Sequence, residues 1–290
     1  MLLTVTHEVH YQYSSAVWLE PHTLHLRPVS TPFQVIHGFR LEIDPLPILL
    51  SEGIDPEGNP MHLAGFSGTT QSLTVRSSFH AECLLENPFG YLLYPFEAVK
   101  IPFLYPEAQK PVLQPCLIGA PGQEPVREYA RQLAAAVQYD TLAFLETVTH
   151  RIFADFAYEY REFGAPFAPA ETLAQKKGAC RDFTLLMMEM CRSLGLASRF
   201  VSGYLLGNLH KEEYLHAWVE VYVPGGGWRG YDPTQGELVS NRHVALAASA
   251  VSSLVTPVQG VFRGAATSRL TATVTVAQGS MLTQRQVMVN

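Results

Sequence analysis

The chain has 290 residues, 47% of them apolar and only 16% charged, with a formal net charge of −6. Average soluble domains carry about 25% charged residues, so this composition excludes a disordered chain, a coiled coil and a basic nucleic-acid binder. At roughly 150 residues per domain the length predicts two domains.

From residue 1 to about 86 the apolar residues recur every second position. Leu3, Val5, Val9, Tyr11 and Tyr13 alternate with Thr4, Thr6, Glu8, His10 and Gln12. Leu24 and Leu26, then Phe39, Leu41 and Ile43, then Leu73 and Val75, then Phe79, Ala81 and Cys83 repeat the pattern. Period two marks half-buried strands, and Pro45, Pro47, Gly53, Gly58, Pro60 and Gly68 break the runs. An antiparallel β-sandwich is the expectation. This half shows no catalytic constellation.

Between Asn87 and Pro125 stand eight prolines. Proline interrupts both helix interiors and central strands, so the stretch reads as an extended crossover. Its aromatic residues, among them Phe89, Tyr91, Tyr94 and Tyr105, predict packing rather than a free linker.

Beyond Pro125 the period becomes helical. Leu142, Leu145, Thr149, Ile152 and Phe156 recur at steps of three and four, with Asp140 or Thr141 as N-cap. A short helix is expected from Pro169 to Lys177, with Gly178 as its C′ glycine. A third begins near Cys180, buries Phe183, Leu186, Met187, Met190, Cys191 and Leu194, and stops at Gly195. Strands follow over 198–206, 217–223, 228–231 and 270–276. The predicted class is α+β: an N-terminal β-sandwich domain over 1–115, ending in the crossover, and a second domain over 116–290 that includes the C-terminal strands.

Residues 1–13 lack an uninterrupted apolar run of the kind a secretory signal needs. The longest small-apolar stretch, 244–255, is far short of the roughly 18 residues of a membrane span. A cytoplasmic protein without membrane association is the expectation.

The chemistry gathers at Cys180, His216 and Asp232. Cys180 stands between one helix's end and the next one's start. There, unpaired N–H groups and the helix dipole favour thiolate over thiol. Cys191 falls on an apolar helix face and reads as a core residue, and Cys83 and Cys116 have no activating neighbour. Four scattered cysteines without a CxxC pair exclude a disulfide framework and a zinc site. Most lone cysteines before a helix are structural, and His216 and Asp232 are what change that reading. His216 opens one strand, Asp232 closes the next, and the glycines at 225–227 make the two a hairpin. A carboxylate can then fix the imidazole's tautomer beside a thiol, the arrangement of an activated nucleophile.

These segments resemble a known family. Gly178-Ala179-Cys180-Arg181-Asp182-Phe183, Arg192 to Tyr204, His216-Ala217-Trp218-Val219-Glu220-Val221 and Gly230-Tyr231-Asp232-Pro233-Thr234 are similar to the bacterial transglutaminase-like proteins. Thr6-His7 and the run from Pro21 to Pro28 resemble that family's N-terminal β domain, and Pro257 to Gly264 its C-terminal segment. The resemblance implies a papain-like transglutaminase core. It implies Cys180 as nucleophile, His216 as general base then acid, Asp232 as its orienter, and acyl-thioester chemistry on amide bonds. Two positions depart from the family pattern: Leu215, where a small residue is common, and Gln235, where asparagine is frequent.

Trp218, Tyr158, Tyr160 and Leu215 are the candidate pocket residues, with Tyr158, Tyr160 or a backbone amide as oxyanion donor. Asp182, in the first helical turn, reads as a dipole partner rather than a catalytic acid. Arg199 reads as a carboxylate's partner or a strand-edge charge. His22 and His25 do not share a strand face; no metal or other cofactor is expected, and no calcium loop is present. The expected substrate is a peptide or protein amide. Hydrolysis is favoured over transfer to an amine because water is always available. The alternatives are a true transglutaminase and a non-catalytic scaffold that keeps the fold.

Overall fold

The computed structural model describes residues 1–161, 164–207 and 215–279. The first part is all strand: β1 (Leu2–Leu19), β2 (His22–Leu24), β3 (Gln34–Asp44), β4 (Leu49–Ile54), β5 (Pro60–Gly65) and β6 (Thr70–Cys83). Helices α1 (Lys110–Leu117), α2 (Glu124–Ala136) and α3 (Thr141–Asp155) follow, then a short strand β7 (Ala157–Tyr158). Next come α4 (Pro169–Gln175), β8 (Lys177–Gly178) and α5 (Cys180–Ser193). The chain then forms β9 (Ser198–Leu205), β10 (His216–Val223), β11 (Gly227–Asp232), β12 (Glu237–Leu238) and β13 (His243–Ser249). It closes with β14 (Val258–Gln259), β15 (Phe262–Arg263) and β16 (Ser268–Gln278).

Two antiparallel sheets form the sandwich. In one, β1 lies between β6 and the C-terminal strands β15 and β16, with β3 outside β6; in the other the order is β14-β2-β5-β4. Val9, Tyr13, Val17, Leu73 and Val75 of the first sheet meet Leu24, Ala64 and Val258 of the second. Alternation along β1 is therefore the cause of this core. The C-terminal strands, grouped by chain position with the second half, pair with the first. Residues 268–278 add the edge that β1 would otherwise leave unpaired.

The third sheet, β12-β11-β10-β9-β13, carries the helices on one face. Ala217, Val219, Val221 and Tyr231 pack there against Phe183, Leu186, Met187 and Met190 of α5. β1 outruns the sandwich. Leu3 and Val5, on the same strand face as Val9, pack on Tyr204, Val244 and Leu246 of the third sheet. His7 sits between these two contacts.

Two local expectations give way to the structure. The crossover is not wholly extended, because α1 holds both Pro111 and Pro115. Pro111 stands in the first turn, where an N–H has no intrahelical acceptor, so only Pro115 forgoes a bond. Leu113 and Cys116 then anchor the helix beside Tyr105, whose hydroxyl donates to the Tyr222 carbonyl and accepts from the Ala197 amide. At the end of α4, Lys176 and not Gly178 takes the left-handed conformation, with φ of 53°. Gly178 is needed for closeness instead: a Cβ there would come within 2.8 Å of Asp182 Cβ. Among the described residues no helix is long and apolar enough to cross a membrane.

Candidate active site

Cys180 is the first residue of α5, half-buried. Asp182 fixes its position. Its carboxylate accepts from the Ala179 amide at 2.8 Å, from the Phe167 amide at 2.8 Å, and from Arg161 Nη2 at 2.7 Å on both oxygens. Fully buried and saturated, Asp182 ties Arg161 and Phe167 to the turn that presents the thiol. The expectation that it is structural agrees with this placement, although a clamp is more than a dipole partner.

His216 opens β10 opposite Gly203 of β9. Gly203 has no room for a Cβ, which would lie 2.3 Å from the Trp218 ring. The β10–β11 hairpin places Tyr231 opposite Val219, and Asp232 follows at the strand end. His216 Nε2 and Asp232 Oδ2 stand 2.6 Å apart, and the Cys180 side chain hydrogen-bonds the same imidazole. Nε2 being taken by the carboxylate, Nδ1 is the nitrogen left for the sulfur.

Asp232 has more partners than the sequence indicates. His243 Nε2 lies 3.2 Å from Oδ2, and the amides of Thr234 and Gln235 donate to Oδ1 at 2.9 and 3.2 Å. His243 Nδ1 accepts from the Ser240 amide, so its proton is on Nε2 and points at the carboxylate. Burial favours a neutral Asp232, but attraction and hydrogen bonds from His216 and His243 hold it well below the usual carboxylate range. Burial likewise disfavours a charged His216. Asp232, aided by the Cys180 contact, reverses that and pushes His216 up to about 10.

A cavity of about 530 Å³ opens over Cys180 and His216. Tyr158, Tyr160 and Leu215 are among its lining residues. Trp218 does not. Period two on β10 turns Ala217 toward α5 and Trp218 to the opposite face, where it is buried against Val201 and Ala248 beside a separate cavity of about 360 Å³. Tyr158 also packs edge-on against Phe183 at 6.4 Å between ring centroids. Arg199 pairs across strands with Glu220 at 2.6 Å and stacks over Trp228. Cys83, Cys116 and Cys191 are buried, and burial pushes Cys83 up to about 11 and Cys191 up to about 12.

Sequence reading missed His243 because it missed β13. Val244 to Ala248 is short-side-chained and apolar, with little to mark it as a strand. It also missed His7, Leu270 and Ala272, three sandwich residues on the cavity wall. The signal for His7 was its odd-numbered place among inward residues Leu3, Val5 and Val9.

A cysteine at a helix start, facing a histidine and a carboxylate on an adjoining antiparallel sheet, defines the architecture of papain-like cysteine enzymes. Residues 127–233 match the family model of the transglutaminase-like superfamily, and residues 3–82 that of the bacterial transglutaminase-like N-terminal region. The chain belongs to this bacterial transglutaminase-like family. It is 28% identical to an uncharacterized protein of Mycobacterium tuberculosis over 272 residues, 89% of this chain and 86% of that one. It is 30% identical over 130 residues to a protein-glutamine gamma-glutamyltransferase of Pseudomonas aeruginosa, covering 42% of this chain and 19% of that protein. A solved structure from Cytophaga hutchinsonii, described as a candidate cysteine protease, shares the fold. Its TM-score is 0.74 at 19% identity, over 96% of this chain and 90% of that one. Family membership supports an activity of the cysteine protease or acyltransferase type.

Proposed function

We propose that the protein hydrolyses amide bonds through a Cys180–His216–Asp232 triad and an acyl-thioester intermediate. The supporting observation is the 2.6 Å contact of His216 Nε2 with Asp232, which leaves Nδ1 for the thiol. With His216 raised to about 10, the imidazole carries the proton at neutral pH and the sulfur attacks as the thiolate. The S–C bond forms and the carbonyl π pair moves to oxygen. The Cys180 amide, at a helix start with no intrahelical acceptor, is positioned to receive that oxyanion. Collapse breaks the C–N bond, and Nδ1–H protonates the departing amine. Water then gives one proton to His216 and adds to the thioester, releasing the carboxylic acid and restoring the ion pair.

The test is turnover of a peptide p-nitroanilide panel by wild type and Cys180→Ala, with intact-mass detection of an acyl adduct on Cys180. Wild-type turnover with an adduct supports the reading; equal activity of the variant sinks it. Iodoacetamide separates an enzyme from a scaffold: Cys180 should alkylate quickly, while the three buried cysteines stay unlabelled until unfolding. A second reading, acyl transfer to an amine, draws on the similarity to the Pseudomonas glutamyltransferase. Ammonia release from glutamine peptides with and without a primary amine separates the two, since only transfer yields an amine-linked product.

A further inference from the structure

The cavity over Cys180 is closed on one side by the sandwich. His7 of β1 and Leu270 and Ala272 of β16 line it, and the register places Val274 opposite His7 and Ala272 opposite Val9. Opposed residues of an antiparallel pair share a face, so this wall is built by strand pairing. His7 is 3% exposed, and its Nδ1 lies 3.0 Å from the Tyr204 hydroxyl. The other ring nitrogen, Nε2, has no hydrogen bond among the described residues, and His7 is part of the cavity lining. Burial pushes His7 down to about 4, so at neutral pH it meets a ligand as an uncharged donor or acceptor.

A second polar group lines the same cavity. Ser202 is 2% exposed, and its Oγ has no hydrogen-bond partner among the described residues. Buried hydroxyls are nearly always bonded, and an unmade bond is costly. On β9, Phe200, Ser202 and Tyr204 share one face, and the strand rise puts Ser202 about 7 Å from Tyr204, the residue that holds His7. The surrounding walls are apolar, from Phe200, Leu215, Val255 and Leu270. Among the described residues no aspartate or glutamate lines the cavity; its two arginines are Arg161, engaged by both oxygens of Asp182, and Arg181, next to Cys180 in sequence.

We propose that His7 and Ser202 form a neutral hydrogen-bonding subsite, which binds a hydroxyl or carboxamide on an otherwise apolar acyl donor. This rests on the amide-hydrolysis reading above and names its substrate class. It also gives the sandwich a role in substrate selection, since His7 is one of its residues.

The test compares isosteric donors: N-acetyl-leucyl p-nitroanilides whose reacting residue is threonine or valine, and asparagine or leucine. Aspartate and lysine versions complete the set. Wild type should favour threonine over valine and asparagine over leucine in kcat/KM, each by roughly three- to tenfold. His7→Phe and Ser202→Ala should each bring those ratios toward one. A ratio cancels any general loss of activity from altered folding, which a merely structural role would cause. Ratios unchanged in both variants, or a wild-type preference for the aspartate or lysine donor, would overturn the subsite. Binding of the corresponding N-acetyl-leucyl amides to Cys180→Ala, by calorimetry, separates the two readings. A Kd preference for threonine that disappears in Cys180→Ala/His7→Phe supports the subsite even if wild type turns nothing over, an outcome that removes only the amide-hydrolysis reading. Equal affinities, or no binding at millimolar ligand, remove the subsite.

Discussion

The two walls of the Cys180 cavity each hold a histidine that is 3% exposed, and they drive the two in opposite directions. On the helical wall His216 meets Asp232 at 2.6 Å and is raised to about 10. On the sandwich wall His7 meets a neutral tyrosine hydroxyl and falls to about 4. Burial opposes charge in both. What decides the outcome is whether a carboxylate has been buried with the ring. The cavity is thus polarised: charge is concentrated beside the sulfur and kept off the surface facing it.

The most severe test of that polarity is removal of the proposed nucleophile. Cys180→Ala should lower kcat/KM by about 10³-fold or more. Its melting temperature should stay within about 3 °C of wild type, because a small half-buried side chain is lost. Retention of a tenth of the activity would show that the sulfur is not the reacting atom. Asp232→Asn comes next. Losing the negative charge removes what holds the imidazolium, and kcat should fall by about 10³- to 10⁴-fold. Asp232→Ala additionally strands four donors, for a cost of about 3–5 kcal/mol in urea unfolding. A variant as stable as wild type would mean that the buried carboxylate is not organising this wall.

His243→Phe is a smaller change that bears on the same wall. The charge-assisted bond to Asp232 is lost together with the acceptor of the Ser240 amide, so at least about 1.5–3 kcal/mol of stability should go. With one donor fewer, the carboxylate binds the His216 proton more tightly, and the alkaline limb of kcat/KM should move upward in pH. A purely structural His243 would lower stability without moving that limb.

The helical wall was the readable one. Cys180 before a helix, His216 and Asp232 at the ends of a glycine-linked hairpin, and the burial of Phe183 to Cys191 all follow from local pattern. Their meeting needs only one helix and two adjacent strands. The sandwich wall depends on pairing between residues more than 250 positions apart, as in Val9 with Ala272. No local period carries such a contact. Trp218 shows the opposite limit. As a strand residue it could be core or pocket wall, and it is buried on the sheet face away from α5, against Val201 and Ala248. His243 stayed hidden because residues 244–248 owe their strand to burial within the third sheet rather than to β-branched propensity.

The two histidines also set the pH dependence of stability. His7 has a folded-state pKa near 4 against about 6.5 unfolded. Its contribution is present above about pH 6.5 and is lost as pH falls toward 4, where the unfolded chain binds a proton that the fold refuses. His216 is the reverse: raised to about 10, it contributes fully below about 6.5, and that contribution is lost as pH rises through 10. Stability should therefore peak near pH 6.5, with each wall eroding on its own side. His7→Phe should make the acid limb shallower by about one proton between pH 6.5 and 4, read from urea midpoints at pH 4.5, 5.5 and 6.5. Some acid slope should persist, because His22 and His62 are also lowered by burial. The alkaline limb should stay as in wild type, since Asp232 and His216 are untouched. An acid limb as steep as wild type's would mean that His7 is charged in the fold, and the contrast between the walls would fail.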